Sequence, residues 1–287
     1  MMEKAAGLDA DQVFFDLEDA CAPAEKKPSR AHAVEALRTL DFGDTVRCVR
    51  VNDVTTSWCY GDIVEVVSGA GDRLDCLVIP KVEDASHVHF VDHLLGGLER
   101  DLGLERRIGL ELQIESARGA VNLRTISQAV DRTETIVFGP GDYAVSLGIA
   151  QFEIGMVDVR YPGHQWHWVM SELANHAHAA GVEAIDGPYV DFNDEAGYRE
   201  SAQRARLLGY RGKWCIHPNQ IPWANEIFTP TLAEYEYARK ICDVYREATE
   251  GGRGAIAVDG LLVDEATRKL AESTIARAER AGLELPA

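Results

Sequence analysis

The sequence predicts an α/β fold: a TIM (β/α)8 barrel that lacks its first strand at the N-terminus and carries a helical extension at the C-terminus. Three observations predict it. Short β-rich runs alternate with longer amphipathic stretches along 287 residues, the rhythm of parallel strands joined by crossover helices. The runs are almost continuously apolar, as strands covered on both faces are. Each run ends in ionisable or polar residues, and in a barrel the C-terminal strand ends converge on one face, where active sites of this architecture lie. An open doubly wound sheet shares the rhythm and is the competing architecture.

The strands in order are QVFFDLED, TVRCVRVN, CLVIPKVE, IGLELQIES, TIVFGPGD, EAIDGPYVD and KWCIHPN. Helical stretches between them include Ser29 to Leu40, Ala85 to Leu102, Arg118 to Val130, Gln165 to Ala180 and Glu195 to Leu208. These seven strands are one short of a closed barrel. The opening MMEKAAGLDA reads as the tail of a helix, so the expected first strand and the start of its helix would lie upstream of it. After the seventh strand a helix runs from Ile221 to Ala248. A break at Gly251, Gly252 and Gly254 leads to AIAVDGLLVD and a last helix to about Ala281. The expected division is a catalytic barrel over 1–250 and an extension over 251–287 that serves as a lid or subunit contact.

Hydrophobic residues make up 46% of the chain, enough for a large core. A net charge of −18 argues against a nucleic-acid surface, which needs clustered Lys and Arg. No apolar run of about eighteen residues predicts a membrane span, and no signal peptide is evident, so a cytoplasmic location is expected. The cysteines Cys21, Cys48, Cys59, Cys76, Cys215 and Cys242 include no C-x-x-C pair and read as reduced structural thiols. Neither G-x-G-x-x-G, P-loop nor G-x-S-x-G is present, which removes the usual warrant for hydride, phosphoryl and serine-hydrolase chemistry.

The polar strand ends are Asp16, Glu18 and Asp19; Arg50 and Asn52; Lys81 and Glu83; Glu115; Asp142; Asp186 and Asp191; and His217. So many converging groups predict an enzyme. Glu115 and Asp142 end consecutive strands and therefore lie side by side. Two carboxylates without His or Cys companions suit Mg²⁺, which takes one or two protein carboxylates with water and substrate oxygens. The same pair suits acid–base work with one raised pKa, and both readings stand. Glu18 and Asp19 are placed to hold metal-bound waters. In FGPGDYAVSLG, Gly141 and Asp142 lie where successive N–H groups can form an anion nest for an α-keto acid carboxylate, with Arg50 closing a bidentate pair on it. A plain turn explains the Gly-Pro-Gly equally well. His87, His89 and His93 read as a solvated helix face. His164, Trp166, His167 and Trp168 read as packing or pocket wall.

The segments FFDLEDACAPAEK, RCVRVN, VIPKVE, LQIESARG, VFGPGDYAVSLG, AIDGPYVDF and GKWCIHPNQI resemble the citrate lyase β-subunit-like lyases of the HpcH/HpaI aldolase/citrate lyase family. That group comprises malyl-CoA, citramalyl-CoA and citryl-CoA lyases. The likeness covers nearly the whole chain in order. It implies a TIM barrel that binds Mg²⁺ through Glu115 of the IES motif and Asp142 of the FG-x-x-D motif. Arg50 of RVN would bind the keto acid. In GLLVD, a loose match to a G-x-M-I-D-like motif, Asp264 would serve the neighbouring subunit's site, so a trimer or dimer of trimers is expected. Family members begin with an R-S-x-L-x-x-P-G-like strand, and this chain starts just after it. Lys4 matches a lysine that follows that segment, and Lys4, Lys26 and Arg30 are candidates for the CoA phosphates.

The reaction implied is reversible cleavage of a β-hydroxyacyl-CoA to an acyl-CoA and a keto acid. Arg50 and Asp264 are the expected catalytic residues; Arg50, Gly141, Asp142 and Glu18 would line the substrate. A malyl-CoA thioesterase, a metal-dependent aldolase on free hydroxy-keto acids and a non-catalytic binding subunit are the alternatives.

Overall fold

A computed structural model describes residues 2–149, 153–157 and 164–285. The chain divides into two compact units, 1–224 and 225–287.

The first unit opens with a short helix α1 (Met2–Ala5), followed by β1 (Gln12–Asp16), α2 (Lys26–Thr39), β2 (Val46–Arg50), α3 (Cys59–Ala70), β3 (Cys76–Ile79) and α4 (Ala85–Leu102). It continues through β4 (Gly109–Ile114), α5 (Ala117–Val121), α6 (Leu123–Ser127), β5 (Thr133–Phe138) and α7 (Pro140–Leu147). Then come α8 (His167–Ala180), β6 (Glu183–Asp186), α9 (Glu195–Leu207) and β7 (Gly212–Lys213). α10 (Gln220–Phe228) spans the join. The seven strands form one parallel sheet in sequence order, β1 to β7, as the βα rhythm predicts.

The sheet is rolled. The rings of Phe14 on β1 and Trp214, just after β7, lie 4.6 Å apart. Glu111 on β4 accepts hydrogen bonds from Gln12 on β1 (3.2 Å) and from the Trp214 indole (3.2 Å), so side chains span the concave face. Strand side chains alternate between faces. Cys48, Cys76, Val78, Val137 and Trp214 form one core cluster from strands β2, β3, β5 and the end of β7. The alternate residues, among them Val49, Leu77, Leu110, Leu112, Ile136 and Ala184, are equally buried, as a sheet backed by helices requires.

Local signals set the helix limits. Asp84 caps α4 through Ser86 N–H, and Gly103 ends it with a left-handed turn, φ +63°. The helix expected over Arg118 to Val130 is two short helices broken at Asn122 (φ −100°, ψ 5°), whose side chain instead donates to Glu83 O at 2.8 Å. The stretch expected over Ile221 to Ala248 also breaks: Pro230 interrupts it, and Thr231 with Glu234 forms a capping box that starts α11 (Leu232–Glu250) afresh.

In the second unit α11 packs on α12 (Glu265–Arg280). Between them lies a hairpin of β8 (Ile256–Val258) and β9 (Leu261–Val263). Its two-residue turn is Asp259-Gly260, both at positive φ (50° and 81°), the geometry that suits a tight hairpin. Ala238, Ile241, Tyr245, Val258, Val263 and Ala271 make the unit's small core. Among the described residues no helix is long and apolar enough to cross a membrane.

Candidate active site

Because β1 to β5 are parallel, their C-terminal ends share one side of the sheet. There Asp16, Glu18, Arg50, Lys81, Gln113 and Glu115 join in one hydrogen-bonded network. Arg50 is 8% exposed, and its Nε and Nη2 reach the two Asp16 carboxylate oxygens at 2.8 and 2.5 Å. Its guanidinium lies over the rings of Phe14 and Trp214, 5.7 and 5.5 Å from their centroids. Nη1 donates to Gln113 Oε1 at 3.3 Å and lies 3.5 Å from Glu18 Oε2. The two-pronged edge expected to grip a keto acid is therefore engaged by Asp16, and Nη1 is the end turned towards Gln113 and Glu18. Burial works to raise the Asp16 pKa. The Arg50 hydrogen bonds and charge, with the Ala20 and Glu18 N–H groups, outweigh it and hold this carboxyl below its ordinary value.

Glu115, only 3% exposed, follows directly on β4. Its Oε1 accepts from the Lys81 backbone N–H at 2.8 Å and its Oε2 from Gln113 Nε2 at 2.7 Å. Burial first, and then the charge of Asp142, push its pKa up to about 8. Asp142, in the first turn of α7, is half-buried and its carboxylate makes no hydrogen bond or ion pair among the described residues. Lys81 holds a left-handed backbone, φ +53°, which is unusual for a side-chain-bearing residue. Its ammonium pairs with Glu18 Oε1 at 2.5 Å and lies 3.6 Å from Asp19. Burial, helped by the charge of Asp19, outweighs the lowering by Lys81 and Arg50 and leaves the Glu18 pKa raised.

The donor set fits a magnesium ion. Glu115 and Asp142 supply hard oxygens, and a buried carboxyl raised by its neighbour's charge ionises more readily when a cation arrives. Among the described residues no group of three or more His, Cys, Asp and Glu is arranged around a metal position. A two-carboxylate Mg²⁺ site does not need one.

The other expected residues lie elsewhere. Lys26 donates to Leu17 O (3.0 Å) and Glu18 O (2.6 Å) and is 7% exposed. Arg30, 4% exposed, binds Asp62 (2.8 Å), Glu65 (2.6 Å) and Trp58 O (3.0 Å). Both charges are engaged inside the fold by these partners, with which a CoA phosphate would have to compete. Lys4 is exposed on α1. Asn52 and Asp62 hydrogen-bond each other, and Asp186 forms a buried pair with Lys213. His217 stacks on Phe192 at 4.8 Å. Gly141 is half-buried beside Asp142, with Ile154 against it. In the second unit Asp264 caps α12, accepting from Thr267 N (3.0 Å) and Oγ1 (3.1 Å), and these bonds lower its pKa.

Two members of the network escaped sequence reasoning in their roles: Asp16 as the partner of Arg50, and Gln113. The signal for Gln113 is present in ELQIE, where Glu111, Gln113 and Glu115 alternate with Leu112 and Ile114 and so share the concave face.

The model of HpcH/HpaI aldolase/citrate lyase matches residues 1–218. The chain belongs to this family. An L-malyl-CoA/β-methylmalyl-CoA lyase of Cereibacter sphaeroides is 38% identical over 97% of this chain and 91% of its own length. Among solved structures, the protein CitE from Mycobacterium tuberculosis in complex with magnesium, acetoacetate and coenzyme A aligns with a TM-score of 0.75 and 28% identity, covering 96% of this chain and 91% of that one. A citrate lyase from Burkholderia xenovorans aligns with a TM-score of 0.82 over 96% of this chain and 85% of its own; at 20% identity it supports the fold alone. The rolled parallel sheet with its helices is thus the fold these solved structures share with this chain.

Proposed function

We propose that this family member is a Mg²⁺-dependent carbon–carbon lyase. It acts reversibly on a β-hydroxyacyl-CoA such as malyl-CoA, β-methylmalyl-CoA, citramalyl-CoA or citryl-CoA. The observation that carries the reading is the charge at the strand ends: among the described residues the carboxylates Asp16, Glu18, Asp19, Glu115 and Asp142 outnumber Arg50 and Lys81, the cations whose side chains pair with them. The imbalance sits around a buried glutamate that a divalent cation would neutralise.

Glu115 and Asp142 would hold the ion, and Glu18 and Asp19 its waters. Bound there, Mg²⁺ supplies Lewis-acid stabilisation of charge on the keto-acid oxygens. Arg50, fixed by Asp16 and the Phe14–Trp214 rings, turns Nη1 to the substrate carboxylate or hydroxyl. In cleavage a base takes the proton of the β-hydroxyl, the adjacent C–C bond breaks to leave the keto acid, and the electron pair of that bond becomes the thioester enolate. Protonation of that carbon gives the acyl-CoA. Asp264, held as a carboxylate by Thr267, suits the reverse direction as the base that takes the α-proton, and by reversibility returns it in cleavage. Its place in a neighbouring subunit's site, in a trimer or dimer of trimers, is part of this proposal.

The test is a product assay by mass spectrometry. Protein is mixed with acetyl-CoA or propionyl-CoA and glyoxylate, pyruvate or oxaloacetate, with Mg²⁺ or EDTA. A β-hydroxyacyl-CoA formed only with metal is the expected result and names the substrates. Free CoA without that product would make the protein a thioesterase, and no product with any pair would overturn the lyase.

A further inference from the structure

Gln113 has no part in the chemistry proposed above, yet it is 3% exposed and both ends of its amide are engaged. Its Oε1 accepts from Arg50 Nη1 at 3.3 Å and its Nε2 donates to Glu115 Oε2 at 2.7 Å. A guanidinium has no acceptor and a carboxylate no donor to offer an amide oxygen, so these partners allow one amide orientation. The other side of the circuit closes through Lys81: its N–H holds Glu115 Oε1, its ammonium holds Glu18, and Glu18 Oε2 lies 3.5 Å from Arg50 Nη1. The ring Arg50–Gln113–Glu115–Lys81–Glu18 therefore leaves each member little freedom, and Gln113 is its neutral link.

We infer that Gln113 is a positioning residue that sets two groups at once: the Arg50 Nη1 that meets the keto acid and the Glu115 carboxylate that holds the cation. The inference rests on the lyase reading for its substrates, although its binding measurements do not. A residue that served Arg50 alone would alter keto-acid affinity, and one that served Glu115 alone would alter cation affinity. Gln113 alters both. Its hydrogen-bond partners are Arg50 and Glu115, neither of them a group expected to touch the acyl-CoA, so acyl-CoA affinity is left alone.

Gln113→Met keeps the volume and breaks both hydrogen bonds. Gln113→Asn keeps the amide but is one methylene too short to span both partners. For each variant, Mg²⁺ affinity is measured by calorimetry, pyruvate and glyoxylate binding by equilibrium dialysis, and KM for acetyl-CoA by turnover. With Gln113→Met the Mg²⁺ dissociation constant and the keto-acid constant both rise about tenfold, as loss of a hydrogen bond to a charged partner predicts. The acetyl-CoA KM stays within about twofold of the parent, because nothing it reads has lost a bond. Gln113→Asn shows the same paired change, smaller, and keeps the inference testable should the Met variant fold poorly. A change in one ligand only, in neither, or in all three together overturns it. If the parent protein turns nothing over but binds Mg²⁺ and keto acid, the lyase reading fails while the two dissociation constants still decide the role of Gln113.

Discussion

Gly139 lies against Glu115 so closely that a Cβ on the glycine would stand 2.5 Å from the Glu115 Cβ and 2.7 Å from its Oε2. The two follow directly on the paired residues Phe138 and Ile114 at the C-terminal ends of β5 and β4, and Gly139 N–H donates to Ile114 O at 2.9 Å. That bond fixes the backbone, so an added methyl must displace the carboxylate. Gly139 is also the N-cap of α7, whose first turn carries Asp142, and its missing side chain leaves room for Glu115.

Gly139→Ala is therefore expected to leave the sheet intact and to disable the site. Turnover should fall roughly 10²-fold, the scale of an ångström-level displacement of a catalytic group. Far-UV circular dichroism should be unchanged. Activity and Mg²⁺ affinity near those of the parent would mean that the β4–β5 edge relaxes around the methyl and that Glu115 is less tightly held than the hydrogen bonds imply.

The strand ends were the most legible part of this molecule in the sequence. A parallel strand that changes from apolar to charged residues announces both its direction and its exit, and the seven runs correspond to β1 to β7. Less legible was what each polar residue does after arriving. Arg30 and Lys26 have the composition of phosphate binders, but Asp62, Glu65 and backbone carbonyls claim them, and such partners are distant in sequence. Lys81 carried no sign that its backbone would adopt positive φ. The capping box at Thr231 and the Asp259-Gly260 turn were readable locally, and both divide stretches that look continuous by hydropathy.

Glu111 gives a second prediction, this one about stability. It is 1% exposed on the concave face, where it accepts from Thr135 Oγ1 (2.7 Å), Gln12 and Trp214. Burial raises its pKa above the ordinary 4.5, and the three hydrogen bonds offset this only in part. A carboxyl with a raised native pKa is bound to its proton more often in the folded than in the unfolded chain. Its contribution to stability is thus fully present below about pH 4.5 and is lost as pH rises through the raised value. Glu111→Gln removes that slope, up to about 1.4 kcal/mol per pH unit. The melting temperature of the variant relative to the parent should climb between pH 5 and pH 8. A difference that stays constant across this range would mean that Glu111 ionises normally in the fold.

Asp264 calls for a substitution that separates two jobs. Its carboxylate caps α12 through Thr267, and removal of such a cap by alanine destabilises the helix start whatever the residue does in catalysis. Loss of activity in Asp264→Ala would therefore be ambiguous, since the hairpin β8–β9 ends at Val263 and a frayed helix start would move it. Asparagine is an equally good cap and retains the oxygen that accepts from Thr267 N–H, but it cannot take up a proton. If Asp264 is the base for the acyl-CoA α-carbon, Asp264→Asn should melt within about a degree of the parent and bind Mg²⁺ equally well. Its condensation turnover should fall by about 10²-fold or more, the usual worth of a positioned base. Exchange of the acetyl-CoA methyl protons with deuterated solvent, followed by mass spectrometry in the presence of Mg²⁺ and a keto acid, should disappear with it. Full exchange in the asparagine variant would confine Asp264 to capping α12.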